Sequence, residues 1–223
     1  MAKWQYLLFD ADNTLYDFNS TEKTALAKLF EHYKLSETLL PVYHSGNKDC
    51  WAMYEKGELT LEKLESERFR LFFQRASIDE DPEEAGALYS VYLGEAGIMM
   101  DGAISFLEKL EGWDISLITN GIARVQKERI RRTGTAHFYS HVFISQEIGY
   151  AKPDSRFFEY VLSVLNATKD ECLVIGDSLT SDIQGAKLSG IDSIFFSTEG
   201  RTTEDATFNA SSYDEIFRII KSE

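Results

Sequence analysis

A chain of 223 residues with 43% hydrophobic composition and a formal net charge of −14 is large enough to bury a substantial core beneath an acidic surface. That charge argues against a nucleic-acid partner, whose affinity draws on Lys and Arg that displace counterions, and no apolar run approaches the roughly 18 residues of a membrane span. Cys50 and Cys172 stand alone, in neither a disulfide framework nor a metal-ligand spacing, which fits a soluble cytoplasmic protein.

In chain order, "YLLF" (6–9) is the first strand signal, and it runs straight into Asp10 and Asp12. Residues 20–97 carry helical periodicity instead: Ala25, Leu26, Leu29, Phe30 and Tyr33 form one stripe behind the capping signal "NSTE". In "NKDCWAMYEKGELT" Trp51 and Tyr54 lie three apart on one helical face, as packing residues or as a stacking platform. In "LTLEKLESERFRLFFQR" Arg68 falls on the stripe of Leu61, Leu64, Leu71 and Phe72, where a cation calls for an anion, either an internal acid or a substrate.

From residue 98 strands and helices alternate. "GAISFLEKLEG" precedes the strand "ISLIT" (115–119), which ends in Thr119 and Asn120; "GIARVQKERIRRTG" follows, its charges forming a solvated face. The strand "HVFIS" (141–145) leads to "AKPD" with Lys152, then the helix "SRFFEYVLSVLN". "CLVIG" (172–176) delivers "GDSLTSD" with Asp177 and Asp182, before the helix "TSDIQGAKLSG", the strand "SIFF" (193–196) and a last helix near "SYDEIFRIIKS". Apolar runs this continuous suit strands covered on both faces. The expected fold is a doubly wound parallel α/β sheet, Rossmann-like, built from residues 1–17 and 98–223, with residues 18–97 as an inserted helical domain.

Open α/β sheets bind ligands beyond the carboxyl ends of their strands. The residues at those ends are Asp10, Asp12, Thr14, Thr119, Asn120, Lys152, Asp177 and Asp182. Carboxylates converging from two strands repel unless a hard cation lies between them, and Mg²⁺, which takes few carboxylates and bridges to phosphate, suits such a set. Lys152 and the "TNG" donors then face the remaining phosphate oxygens. Taken singly, each residue is equally at home as a cap, a turn or a solvated charge.

"DADNT", "ITN", "KPD" and "GDSLTSD", in that order, resemble the four motifs of the haloacid dehalogenase-like superfamily. The resemblance implies that Asp10 is a nucleophile forming an aspartyl-phosphate, Asp12 a general acid and base, and Thr119, Asn120 and Lys152 phosphate holders. It also implies Mg²⁺ on the Asp10 carboxylate, the Asp12 backbone carbonyl and Asp177, with Asp182 behind them, and a cap domain in residues 18–97. Dehalogenases of this superfamily generally lack the second aspartate, so Asp12 points to phosphoryl transfer. Asn13 stands where a related phosphomutase usually has Gly, which favours a hydrolase. Together with "NKxxWxxYxxGxxT" and "ISQEIGYAKPD", the chain is similar to bacterial pyrimidine 5′-nucleotidases, although Asp101 stands where relatives often have Pro. A small phosphomonoester, a nucleotide above others, is the implied substrate, with Arg68, Trp51 and Tyr54 its candidate contacts in the cap. A sugar-phosphate phosphatase, a phosphomutase and a non-catalytic nucleotide-binding regulator are the alternatives, and the sequence leaves the oligomeric state open.

Overall fold

In a computed structural model, residues 3–222 are described, the side chain of Glu55 excepted. The chain forms two compact units. The first takes in the chain through Phe18, residues Ile98–Ala123 and the chain from Ile130 onward; the second takes in Asn19–Gly97 and Arg124–Arg129.

The first unit is built on β1 (Tyr6–Asp10), β2 (Asp114–Thr119), β3 (His141–Ile144), β4 (Cys172–Gly176), β5 (Asp192–Phe196) and β6 (Phe208–Ala210). All pairs are parallel, in the order β3-β2-β1-β4-β5-β6, and β1 lies at the centre. Alternate residues of the central strands serve opposite faces. Leu7, Phe9, Leu117, Leu173 and Ile175 pack with Phe106, Leu107, Ile216 and Ile220, from α5 (Ala103–Lys109) and α10 (Tyr213–Ser222). Leu8, Ile118 and Val174 pack on the other face with Phe157, Phe158 and Val161 of α8 (Ser155–Leu165) and Ala186 of α9 (Gln184–Ser189). Burial on both faces is why these strands are continuous apolar runs.

β1 to β5 and the long helices lie where the sequence patterns place them, and three local features differ. β6 has only three residues, of which Ala210 alone is buried, too few for a period to register. Ser145 belongs to the short helix α7 (Ser145–Ile148) rather than to β3. "RVQKERIRR" is not simply a solvated face: in α6 (Ala123–Thr133) Gln126 and Arg129 are each 1% exposed, while Arg131 and Arg132 stay in solvent.

The second unit holds α1 (Phe18–His32), α2 (Leu40–Glu55), α3 (Leu61–Ala76) and α4 (Pro82–Glu95). α1 begins before "NSTE", and Thr21 directs its hydroxyl to the Ala96 carbonyl at 3.3 Å instead of capping the helix. The helices converge on a cluster of rings from Phe30, Tyr43, Phe69, Phe72, Phe73 and Tyr89. A side chain at Gly86 would meet the Glu65 carbonyl oxygen at 2.6 Å, so only glycine lets α4 approach α3 this closely.

Candidate active site

Lys152 enters the first unit from the loop before α8, and its ammonium has no solvent around it. Nζ donates to Asp10 Oδ1 at 2.6 Å, Asp182 Oδ1 at 2.7 Å and the Ile118 carbonyl at 3.0 Å, so all three of its protons are committed. Burial pushes the Lys152 ammonium toward the neutral form, but Asp10 and Asp182 outweigh it and hold its pKa above the ordinary lysine value. The Asn120 side chain fixes the backbone that carries it, donating to the Lys152 carbonyl at 2.7 Å and accepting from its N–H at 3.0 Å. The Asn120 oxygen and one of its two amide N–H groups are thus engaged by the protein, and the second N–H keeps its proton to donate. Thr119, buried at the end of β2, accepts from the Gly121 N–H at 3.0 Å and keeps its own proton to donate.

Asp10, Asp177 and Asp182 can each present a carboxylate oxygen, all within 4.8 Å of one another. Burial pushes the pKa of Asp10 well up; Lys152 opposes the shift, and Asp182, Asp177 and Asp12 add to it. Asp177 is pushed up to about 7 by burial and by the charges of Asp182 and Asp12. The lysine therefore leaves the cluster with an excess of negative charge, and hard oxygen donors with that excess suit a divalent cation such as Mg²⁺. Asp182 is the least available of the three, because its other oxygen accepts from the Ser178 N–H at 3.1 Å. Gly176 makes room for it: a Cβ there would fall inside the Asp182 carboxylate.

Asp12 lies on a tight loop, half-buried, close enough for its charge to act on both Asp10 and Asp177. The loop closes through the amides of Leu15 and Tyr16, which donate to the Ala11 carbonyl at 3.0 and 2.8 Å, and through the Asn13 N–H, which donates to Tyr16 O at 2.7 Å. Asn13 takes φ 59°, a conformation that glycine and asparagine both reach, so Asn13 satisfies the turn that a glycine would. The Tyr213 hydroxyl of α10 donates to the Thr14 carbonyl at 2.6 Å.

In the second unit Arg68 is 2% exposed, Trp51 and Tyr54 are half-buried, and the rings of the latter pair meet edge to face at 5.7 Å. Arg68 does not face the internal acid that was one of the two partners its position called for, and its Nη2 is buried without a hydrogen-bond partner. Among the described residues no carboxylate lies within 4 Å of it; its Nε donates to the Leu64 carbonyl at 3.2 Å, and its guanidinium lies over the rings of Trp51 and Tyr89 at 5.8 and 5.5 Å. The structure thus gathers Asp10, Lys152, Asp177 and Asp182 in one unit, and Arg68 and Trp51 in the other. Three further groups escape sequence reasoning: the Ile118 carbonyl and the Ser178 amide, since backbone atoms leave no residue signature, and Tyr213, which is 199 positions from the loop it holds.

A parallel sheet whose neighbouring strands β1 and β4 lead into three clustered carboxylates, with a lysine bridging two of them, defines an α/β enzyme with its site at the strand ends. The chain belongs to the haloacid dehalogenase-like hydrolases, whose family model matches residues 4–190. It is 31% identical to the pyrimidine 5′-nucleotidase PynA of Streptococcus pneumoniae, over 97% of this chain and 95% of that protein. It is 30% identical to the pyrimidine 5′-nucleotidase YjjG of Escherichia coli, over 98% of each. Among solved structures, the magnesium-bound HAD-hydrolase YfnB of Bacillus subtilis superposes with a TM-score of 0.89 at 29% identity, covering 98% of this chain and 99% of that one. No helix among the described residues is long and apolar enough to cross a membrane.

Proposed function

We propose that this protein is a magnesium-dependent phosphomonoester hydrolase that acts through an aspartyl-phosphate on Asp10, with pyrimidine nucleoside 5′-monophosphates as its substrates. The observation that carries the reading is the excess negative charge of Asp10, Asp177 and Asp182 around a single fully committed lysine. The two named nucleotidases at 30% identity or more support the substrate class.

Asp10 uses one carboxylate oxygen to attack phosphorus while the ester P–O bond breaks, and Asp12 gives a proton to the departing oxygen. In the second half, Asp12 takes a proton from water as that water attacks the phosphorus, and the P–O bond to Asp10 breaks. Lys152 holds the Asp10 carboxylate in place and places positive charge beside the transferring group. Thr119 donates its hydroxyl proton to a phosphate oxygen, and the side chain of Asn120 acts through the backbone of Lys152. Asp10 and Asp177, together with the Asp12 carbonyl that the motif resemblance adds, would hold Mg²⁺, and Asp182 would stand behind them through Lys152 and Ser178. When bound, Mg²⁺ neutralises charge on the phosphoryl oxygens.

A panel of phosphomonoesters assayed with the purified protein tests this reading. UMP and dTMP should lead in kcat/KM, ahead of AMP, GMP and hexose phosphates, and EDTA should abolish every activity until Mg²⁺ is restored. Full turnover in metal-free buffer would sink the metal assignment. Equal use of purine and pyrimidine nucleotides would sink the substrate assignment and leave the hydrolase standing.

A further inference from the structure

Tyr16 closes the loop that carries Asp12. Its N–H donates to the Ala11 carbonyl at 2.8 Å and its carbonyl accepts from the Asn13 N–H at 2.7 Å, so the backbone on both sides of Asp12 is tied to this one residue. Asp12 itself pairs with Tyr16 in an isolated bridge. The Tyr16 side chain is fully buried in the first unit, where a phenol hydroxyl needs a partner. It has Thr135 Oγ1 at 2.7 Å and the Tyr139 hydroxyl at 3.4 Å. Thr135, buried just beyond α6, also meets Thr133 Oγ1 at 2.9 Å, and Thr133 donates to the Ile130 carbonyl at 3.3 Å. One proton per hydroxyl sets the direction of this chain. Thr133 gives its proton to Ile130, so Thr135 donates to Thr133, Tyr16 donates to Thr135, and Tyr139 donates to Tyr16. Burial pushes the Tyr139 hydroxyl pKa up and keeps that end protonated. Four hydroxyls thus run in one sense into a helix carbonyl, each bond polarising the next.

We propose that Tyr16 is a positioning residue for Asp12, held in register by the Thr135 hydroxyl; the inference rests on the hydrolase reading, in which Asp12 protonates the departing oxygen. The two aspartates are supported differently. Asp10 belongs to β1, which is paired on both sides, and its carboxylate is bonded to Lys152, so the nucleophile keeps its place without the hydroxyl chain. Asp12 lies beyond the strand, on a loop whose backbone bonds converge on Tyr16. A general acid works only within hydrogen-bond reach of the atom it protonates. Loosening Tyr16 therefore weakens protonation of the leaving group and leaves the attack by Asp10 intact. The cost falls on esters whose leaving oxygen needs a proton, and spares those that depart as stable anions.

The test compares two esters of similar size on the full chain with Mg²⁺: p-nitrophenyl phosphate, whose phenolate leaves without a proton, and benzyl phosphate, whose alkoxide does not. Thr135→Val removes the hydroxyl that holds Tyr16 and touches none of the residues assigned to substrate or metal. The ratio of kcat/KM for benzyl phosphate to that for p-nitrophenyl phosphate should fall about 3- to 10-fold, the range of one neutral hydrogen bond. Thr135→Ser, which keeps the hydroxyl, should return the ratio to the wild-type value. The double variant Tyr16→Phe with Thr135→Val removes both partners and leaves neither orphaned, so it should be at least as stable as Thr135→Val and show the same fall. It guards against a single variant that fails to fold. Equal losses on the two esters, or an unchanged ratio in the double variant, overturn the inference. A wild type that hydrolyses both esters keeps the hydrolase reading standing in that case; a wild type that hydrolyses neither ends that reading and the inference with it.

Discussion

Lys152 Nζ lies 2.6 Å from Asp10 Oδ1, and the same ammonium is 2.7 Å from Asp182. One buried cation thus separates two buried carboxylates, and its removal should do more than slow the reaction. Lys152→Met leaves Asp10 and Asp182 facing each other without compensation, and the expected loss of stability is about 3–5 kcal/mol. The double variant Lys152→Met with Asp182→Asn should recover much of that stability and none of the activity. Chemical denaturation and p-nitrophenyl phosphate turnover on both proteins check it; a double variant no more stable than the single one would show that charge is not what Lys152 manages.

Asp177 makes stability depend on pH in a defined direction. Its pKa of about 7 in the fold lies above the ordinary 3.8, so the folded metal-free protein holds this proton more tightly than the unfolded chain does. The stability that this contributes is fully present below the ordinary value and is lost as pH rises through about 7. Asp177→Asn, which cannot ionise, should therefore melt higher than the wild type at pH 8 in EDTA, by about 1–3 kcal/mol, with the gain shrinking by pH 5. Added Mg²⁺ should reverse the order, because it engages the ionised carboxylate. Melting curves at the two pH values, with and without metal, give the answer, and a gain that grows toward low pH would refute the sign.

The sheet and the strand-end carboxylates were legible because both leave marks in local sequence. A strand covered on two faces is a run of apolar residues, and the polar residue that stops it stands at the strand end where ligands of such sheets bind, as Asp10 and Thr119 do. Arg68 was half legible. Its place on an apolar stripe announced burial, but a guanidinium can be met by aromatic faces as well as by an acid, and periodicity cannot tell which.

Asp10 and Asp12 should fail in different ways. Asp10→Asn removes the nucleophile, and no covalent phosphate should form. Asp12→Asn keeps it but loses the acid and base, so the adduct should form slowly from an ester with a good leaving group and persist. Intact-protein mass spectrometry after brief exposure to such an ester separates the two. An adduct on Asp10→Asn protein, located at another residue, would overturn the assignment.

Arg68→Ala should lower UMP and p-nitrophenyl phosphate turnover together, along with the melting temperature. The side chain is 2% exposed and lies over Trp51 and Tyr89, so its loss opens space within the ring cluster and costs about 2–4 kcal/mol. If UMP turnover alone collapses in a protein that melts normally, Arg68 touches substrate instead.

Tyr213 makes the catalytic loop depend on the last helix. Its ring stacks on Phe106 at 4.7 Å and on Phe196 at 5.2 Å, and burial pushes its hydroxyl pKa up, so the proton stays available for the Thr14 carbonyl. Thr14 is two residues beyond Asp12, and a shift of the loop would misplace the acid and base before it disturbed the sheet. Tyr213→Phe removes the hydrogen bond and keeps the stack, so kcat should fall about 2- to 10-fold, in line with one neutral hydrogen bond, with KM nearly unchanged. Its melting temperature should move little, whereas Tyr213→Ala, which also loses the stack, should be clearly destabilised. Steady-state kinetics on the two variants decide the point: a Tyr213→Phe enzyme with wild-type kcat would mean that the loop is held by the Ala11 and Tyr16 turn alone, and that the C-terminal helix contributes packing without positioning Asp12.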